Sequence, residues 1–356
     1  MKSGAARKKI QDLELYKDQL SNRLDPSMSI MQGINAKVRK NPKRVIFAEG
    51  EDENMLKAAI EFGRNKLGIP ILIGAENRVK EQLKKIGLDE NYKIEIINST
   101  DKKKRDKYVK HLYKKLQREG QLERDVDRLV RNDRIAWGSS MIACKDADAM
   151  ITGNIRHYAA SIEKLKKVVS ARPGEEIFGM TMIVSKGKTI LVADTNVTEL
   201  PSAERLVNIS KSCVRIARLF GFEPKVAFLS HSTFGKPLSR NTRHVRDAIE
   251  KLKKEKVDFD FDGEMQPDVA LNPTYKEIYP FSKIVGSANV LIMPALHSAA
   301  ISTKLMKVFG GGKNIGPLLI GLGQPIEVAP LRASTSEILN LASIAAYSSD
   351  VIDYSN

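Results

Sequence analysis

Several short polar segments in this chain stand where apolar runs end, and their residue types suit the handling of an anionic ligand. Thr152-Gly153-Asn154-Ile155-Arg156 closes the apolar run from Ala147 and leads into a helical pattern. In a parallel sheet, a strand-to-helix turn of this kind lines the ligand crevice. Ser230-His231-Ser232-Thr233-Phe234-Gly235 follows the buried-strand pattern Lys225–Leu229. Hydroxyls, free N–H groups and a glycine that lets backbone come close make an anion cradle. A hydroxyl-rich turn capped by its own side chains is the competing reading of the same residues. Asp262–Asp268, Asn289–His297 and Gly310–Pro317, which runs on into Leu318–Gly321, each read as a strand that delivers side chains or N–H groups to one edge, among them Asp262, Glu264, His297, Gly316 and Pro317. His231 and His297 both sit at strand ends, but no nucleophile and orienting carboxylate accompany them, so they line a cleft rather than form a triad.

Composition narrows the choice of partners. No apolar run approaches the roughly 20 residues needed to cross a bilayer, and Met1–Leu24, polar and charged, carries no secretory signal pattern. Cys144 and Cys213 lie far apart and without metal-ligand spacing, which argues against a disulfide framework or a zinc site and for a reducing, cytoplasmic setting. The net charge of +16 raises nucleic acid, acidic membranes and anionic metabolites as partners. The basic residues are spread out, however. The densest run, Lys102–Lys115, places Tyr108, Leu112 and Leu116 at helical spacing with lysines opposite, a solvated helix face. With no helix-turn-helix, zinc-finger or RNA-binding signature, neither nucleic acid nor a membrane is expected, and a small ligand carrying phosphates is.

The elements that must position these residues alternate. The strand pattern Arg44–Ala48 ends in Glu49-Gly50-Glu51-Asp52 and opens a helix over Glu53–Leu67. Acidic residues there serve the helix macrodipole or a function. Strand patterns at Ile69–Ile73, Lys93–Ile97 and Ala147–Thr152 are each followed by helical periodicity, which implies an α/β fold with mostly parallel sheets and helices on both faces, three layers deep. Ile177–Ser185 and Thr189–Ala193, joined at Lys186-Gly187-Lys188, read as a hairpin and an antiparallel edge. Trp137 is expected in the core, and Cys144 and Cys213 as buried thiols. Ala171-Arg172-Pro173-Gly174 marks a boundary between two lobes. The expected organisation is an amphipathic, loosely attached N-terminal arm over 1–40, with apolar Ile10, Leu13, Leu15, Leu20 and Leu24. Lobe I then spans 41–172 and 320–356, and lobe II spans 173–319.

These strand-end words, in this order, resemble the phosphotransacetylase family from about Arg44 onward. They are Phe47-Ala-Glu-Gly-Glu-Asp52, Pro224–Thr233, Asp262-Gly-Glu264, Ala288-Asn-Val290, Ile315-Gly-Pro317 and Glu337-Ile-Leu-Asn340. Pro294–Lys304, Val328-Ala-Pro330 and Gly4-Ala-Ala-Arg-Lys8 with Ile10-Gln-Asp-Leu13 are similar to the C-terminal phosphotransacetylase-like domain of the large bacterial hybrid NADP-dependent malic enzymes. The resemblance implies an α/β/α fold of the isocitrate/isopropylmalate dehydrogenase kind, with the cleft between lobes, and a homodimer or higher homo-oligomer. It implies coenzyme A or acetyl-CoA and phosphate as ligands, no permanently bound cofactor and no metal.

The family reaction exchanges an acetyl group between coenzyme A and phosphate, which needs a base for the thiol and positive charge for phosphate and oxyanion. On this resemblance Glu337 takes the position of the family's aspartate, the thiol base, and Arg332 supplies the cation. Thr152, Gly153, Asn154, Arg156, Ser230, Ser232, Thr233, Gly235, Gly316 and Pro317 bind substrate, while Asp262, Glu264 and His297 support the cleft. The family's Ser-Arg pair falls here at Pro330-Leu331, and a capping role for Glu337 behind Ser334 or Thr335 competes with the catalytic one. Two functions follow. The first is a free-standing phosphate acetyltransferase, motivated by the presence of both lobes. The alternative is a catalytically weak acetyl-CoA-sensing and oligomerising regulatory domain of a hybrid malic enzyme.

Overall fold

A computed structural model of the protein describes residues 26–88, 93–98, 101–185, 187–238, 240–310 and 312–354. The far N-terminal part of the expected arm, with Ile10 to Leu24, lies outside them. The first sheet is built from β1 (Lys43–Phe47), β2 (Gly68–Ile73), β3 (Glu95–Ile97), β4 (Ala149–Gly153) and β11 (Ile326–Ala329). Its strands run β11-β4-β1-β2-β3, all parallel. The connections are α2 (Glu53–Arg64), α3 (Glu76–Lys85), and α4 (Lys102–Leu116), α5 (Glu123–Asn132) and α6 (Arg134–Ala143) in succession. Apolar residues at helical spacing explain α2: Met55, Leu56, Ala59, Ile60 and Phe62 are buried, and Asp52 caps the helix by accepting from the Met55 N–H.

The second sheet runs β10-β5-β6-β9-β7-β8. It comprises β5 (Phe178–Ser185), β6 (Lys188–Ala193), β7 (Lys225–Leu229), β8 (Asp260–Met265), β9 (Val290–Ile292) and β10 (Lys313–Ile320). The expected hairpin is there: β5 and β6 pair antiparallel, and β10 adds a second antiparallel edge, while β6, β9, β7 and β8 are parallel. Between these strands come α7 (Tyr158–Val168), α8 (Ala203–Leu219), α9 (Arg243–Glu255), the short α10 (Pro267–Leu271) and α11 (Leu296–Phe309). The chain returns through β11 to α12 (Thr335–Val351), which packs on α2, β4 and α1 (Pro26–Lys40).

The segment 26–40 is not loosely attached. Met31, Ile34 and Val38 are buried, and Lys37 Nζ donates to the Tyr347 hydroxyl at 2.9 Å. One apolar core runs from Val45 and Phe47 of the first sheet through α12 to Met180 and Phe228 of the second. Two further cores lie on the outer faces, one around Trp137 and the other around Leu229 and Met293. Trp137 is fully buried edge-on to Tyr108, with centroids 5.0 Å apart. Cys213 is buried and Cys144 only partly so. Among the described residues no helix is long and apolar enough to cross a membrane.

Candidate functional site

The C-terminal ends of β1, β4 and β11 form a polar edge on the first sheet. Glu49, one residue past an Ala48 that follows β1, has no exposed surface. Its Oε1 accepts from Thr152 Oγ1 and its Oε2 from the Gly153 N–H, each at 3.0 Å, and Arg156 Nη2 stands 3.8 Å from Oε1. Burial pushes this carboxyl up to about 7, against the pull of the Thr152 hydroxyl, Arg156, Arg134 and the Gly153 N–H. Gly153 has φ +109°, and a Cβ there would lie 2.3 Å from the Ala329 oxygen, so only glycine lets β4 close against β11. Asn154, also left-handed at φ +66°, is held on three sides: its N–H donates to Ala329 O, its Nδ2 donates to Asp52 Oδ1 at 2.6 Å, and its carbonyl accepts the Arg332 N–H at 2.9 Å. Asp52 thus caps α2 and positions Asn154 at once.

The expected residue Arg332 lies in the β11–α12 connection and Glu337 in the first turn of α12. Arg332 has φ +58°, an exposed side chain and an N–H fixed on Asn154. Glu337 closes a capping box at the start of α12, where its Oε2 accepts from the Ser334 N–H at 2.9 Å and the Ser334 hydroxyl at 3.0 Å. Its Oε1 accepts from Lys307 Nζ of α11 at 2.9 Å. Burial raises its pKa, but the Ser334 and Lys307 donors outweigh that and hold the carboxyl below the usual range.

On the second sheet, Ser230, Ser232 and Glu264 form one buried network. Ser230 Oγ and Ser232 Oγ are 2.9 Å apart, Ser232 Oγ donates to Glu264 Oε1 at 2.7 Å, and Arg246 Nη1 of α9 reaches both Glu264 oxygens at 3.0 and 3.1 Å. Thr242 Oγ1 accepts from the same Arg246 nitrogen. Thr233 is used locally: its hydroxyl accepts the Gln266 N–H, and the turn through Gly235 at φ +86° closes between Thr233 and Lys236. Beside this network lies a cleft of about 600 Å³, lined by Ser230, Met293, Pro294, His231, His244 and His297 among others. His231 and His297 are exposed, and His244 Nε2 is 2.9 Å from Pro294 O, so that nitrogen carries the proton. Asp262 accepts from the Gly263 and Lys283 N–H groups, which ties β8 to the segment after residue 282.

Gly316 and Pro317 do not end a strand. They occupy a bulge inside β10 between Ile315 and Leu318, and the backbone of Gly316, at φ +121°, packs on Met180 and Thr181 of β5. The reason is the antiparallel pairing with β5, which carries β10 past the Gly-Pro step. Sequence reasoning missed three participants. Glu49 read as one of four residues in an acidic helix start, and only its word Phe47-Ala-Glu-Gly50 marked it. Arg246 and His244 sit in a helix of ordinary amphipathic pattern, and nothing local announced them. Among the described residues no group of His, Cys, Asp or Glu is arranged to hold a metal ion.

The chain thus sets a parallel five-stranded sheet beside a mixed six-stranded one, each with polar residues at strand ends. The chain superimposes on a phosphotransacetylase from Streptococcus pyogenes with a TM-score of 0.84 and 28% identity, over 91% of this chain and 98% of that one. A family model described as phosphate acetyl/butaryl transferase matches residues 29–346, and the chain belongs to that family. It is 43% identical over 348 residues to an NADP-dependent malic enzyme of Rhizobium meliloti, a match covering 98% of this chain and 46% of that protein. It is 29% identical to a phosphate acetyltransferase of Clostridium acetobutylicum, over 89% of this chain and 97% of that enzyme. The chain spans about half the length of the malic enzymes it matches.

Proposed function

We propose that this chain is an acetyl-CoA-binding, oligomerising module on a phosphotransacetylase scaffold, a regulatory domain related to those of the malic enzymes, with little acyl transfer of its own. The observation that carries this reading is the state of Glu337. A thiol base needs a free lone pair and a pKa near the working pH. Here one oxygen is committed to Ser334 and the other to Lys307, and both partners favour the charged, weakly basic form. Pro330-Leu331, where the family carries Ser-Arg, offers no hydroxyl or guanidinium to a developing oxyanion. The polar strand ends remain. In this reading Thr152, Gly153, Asn154 and Arg156 on one lobe face Ser230, Ser232, Thr233 and Gly235 on the other, across an interlobe cleft of the isocitrate dehydrogenase kind. Coenzyme A is then a dissociable ligand in a cytoplasmic protein. The exposed apolar stripe Ile301, Leu305, Val308 and Phe309 of α11 offers a face for a second copy.

Calorimetric titration with acetyl-CoA tests this: saturable binding is expected, together with no phosphate-dependent thiol release above background. An absence of binding sinks the reading. A second reading, phosphate acetyltransfer with Arg332 as phosphate ligand, is favoured by the match to nearly the whole clostridial phosphate acetyltransferase. It requires thiol release that collapses in Glu337→Ala and Arg332→Ala.

A further inference from the structure

Glu49 is a buried ionisable group for which the ligand-binding reading supplies no role. Its carboxylate is sealed from solvent yet ringed by the turn that reading assigns to ligand: Thr152 donates to Oε1, Gly153 donates to Oε2, and Arg156 stands 3.8 Å from Oε1. That last separation is too long for a hydrogen bond and short enough for strong attraction. About a quarter of the Arg156 side chain, 26%, is exposed. Arg156 therefore feels Glu49 from within while remaining open to solvent.

The other charges near Glu49 are already engaged. Arg134 of α6 pairs with Glu51 at 2.9 Å, and Glu51 also takes Arg78 and the Ala75 N–H. Asp52 is occupied by Asn154 Nδ2 and the Met55 N–H. Two residues before Arg156 in the same turn, the Asn154 amide oxygen is buried without a partner among the described residues, an acceptor suited to an N–H or O–H on a ligand.

We propose that Glu49 and Arg156 form a proton-coupled anion site: a phosphorylated ligand binds the outward side of Arg156, and Glu49 takes up one proton from solvent as it does so. This rests on the ligand-binding reading of the turn 152–156 and adds its pH regulation. An anion on Arg156 cancels the field that favours the Glu49 carboxylate, and a second negative charge in a low-dielectric setting raises the cost of ionisation. The proton goes to Oε1. Thr152 then rotates its hydroxyl to accept from that oxygen, and Oε2 keeps the Gly153 N–H, so the turn holds its shape. Burial already places the Glu49 carboxyl at about 7, so the exchange falls in the physiological range.

The test is calorimetric titration with coenzyme A at pH 7 in two buffers of different ionisation enthalpy, on the wild type and Glu49→Gln. Phosphate protonation on the ligand contributes equally to both proteins, so the difference counts protons on Glu49. The wild type should take up roughly half a proton more than E49Q, and its Kd should rise by up to about tenfold per pH unit above pH 7, while E49Q, which mimics the protonated carboxyl, stays flat by comparison. Equal proton counts and parallel pH profiles overturn the coupling while leaving ligand binding intact. A merely structural Glu49 would weaken E49Q equally at every pH. If wild type does not bind coenzyme A at all, the underlying reading fails and the coupling with it. Should E49Q not fold, Arg156→Gln decides. Affinity at least tenfold weaker with the pH slope abolished supports the proposal, and unchanged affinity or slope refutes it.

Discussion

Lys307 of α11 and Glu337 of α12 meet at 2.9 Å, which joins the last helix of the second sheet to the helix that closes the first. The same carboxylate also completes the cap of α12, so one residue serves a helix terminus and an inter-sheet tie. If that is its whole task, Glu337→Ala lowers stability in urea by about 1 kcal/mol, the usual loss for a cap, and leaves acetyl-CoA affinity within about twofold. A tenfold loss of affinity would return Glu337 to the ligand site.

Glu327 on β11 is buried, and burial pushes its carboxyl up to about 8 against a single Leu319 N–H at 2.9 Å. A carboxyl whose folded pKa lies above its unfolded value contributes stability that is complete below the unfolded pKa and lost as pH rises through the folded one. Unfolding free energy should therefore fall between about pH 4.5 and pH 8, by on the order of 5 kcal/mol from this residue. Glu327→Gln, measured by urea denaturation across that range, should flatten the fall. A wild-type profile that rises over the window would contradict the assignment.

Gly153→Ala forces a methyl against Ala329 O in a left-handed backbone. Strain and displacement together should cost at least about 2 kcal/mol, read as a lowered Tm, and the displaced turn should weaken any anion bound at Arg156. A thermally unchanged variant would mean β4 and β11 are not packed as described.

Glu264 is sealed and Arg246 is its cation. Arg246→Met leaves a buried charge with only neutral donors, which costs about 3–5 kcal/mol, whereas Glu264→Gln should be milder because no charge is stranded. Paired melting curves give the order, and the reverse order would count against the ion pair as the centre of the network.

The α11 stripe of Ile301, Leu305, Val308 and Phe309 is exposed. Leu305→Lys with Phe309→Glu should halve the sedimenting mass without lowering the Tm of the monomer. A wild type that already sediments as a monomer at micromolar concentration removes α11 as an interface.

Much of the fold was legible because its signals are local. The period of apolar residues placed α2, α8 and β5–β6, and the Lys186-Gly187-Lys188 step placed the hairpin. The family words marked the strand ends as well. Other features were set by partners distant in sequence. Glu49 and Thr152 are 103 residues apart and Lys307 and Glu337 are 30 apart, so neither the burial of one nor the pairing of the other shows in any window. Gly316-Pro317 misled for the same reason: a glycine and proline read as a terminus until an antiparallel neighbour turns them into a bulge. Residue order thus determined which segments become strands and helices, since that depends on periodicity and backbone preference. Which carboxylate is buried, capped or paired was decided only when the sheets closed, because desolvation and charge pairing depend on distances through space.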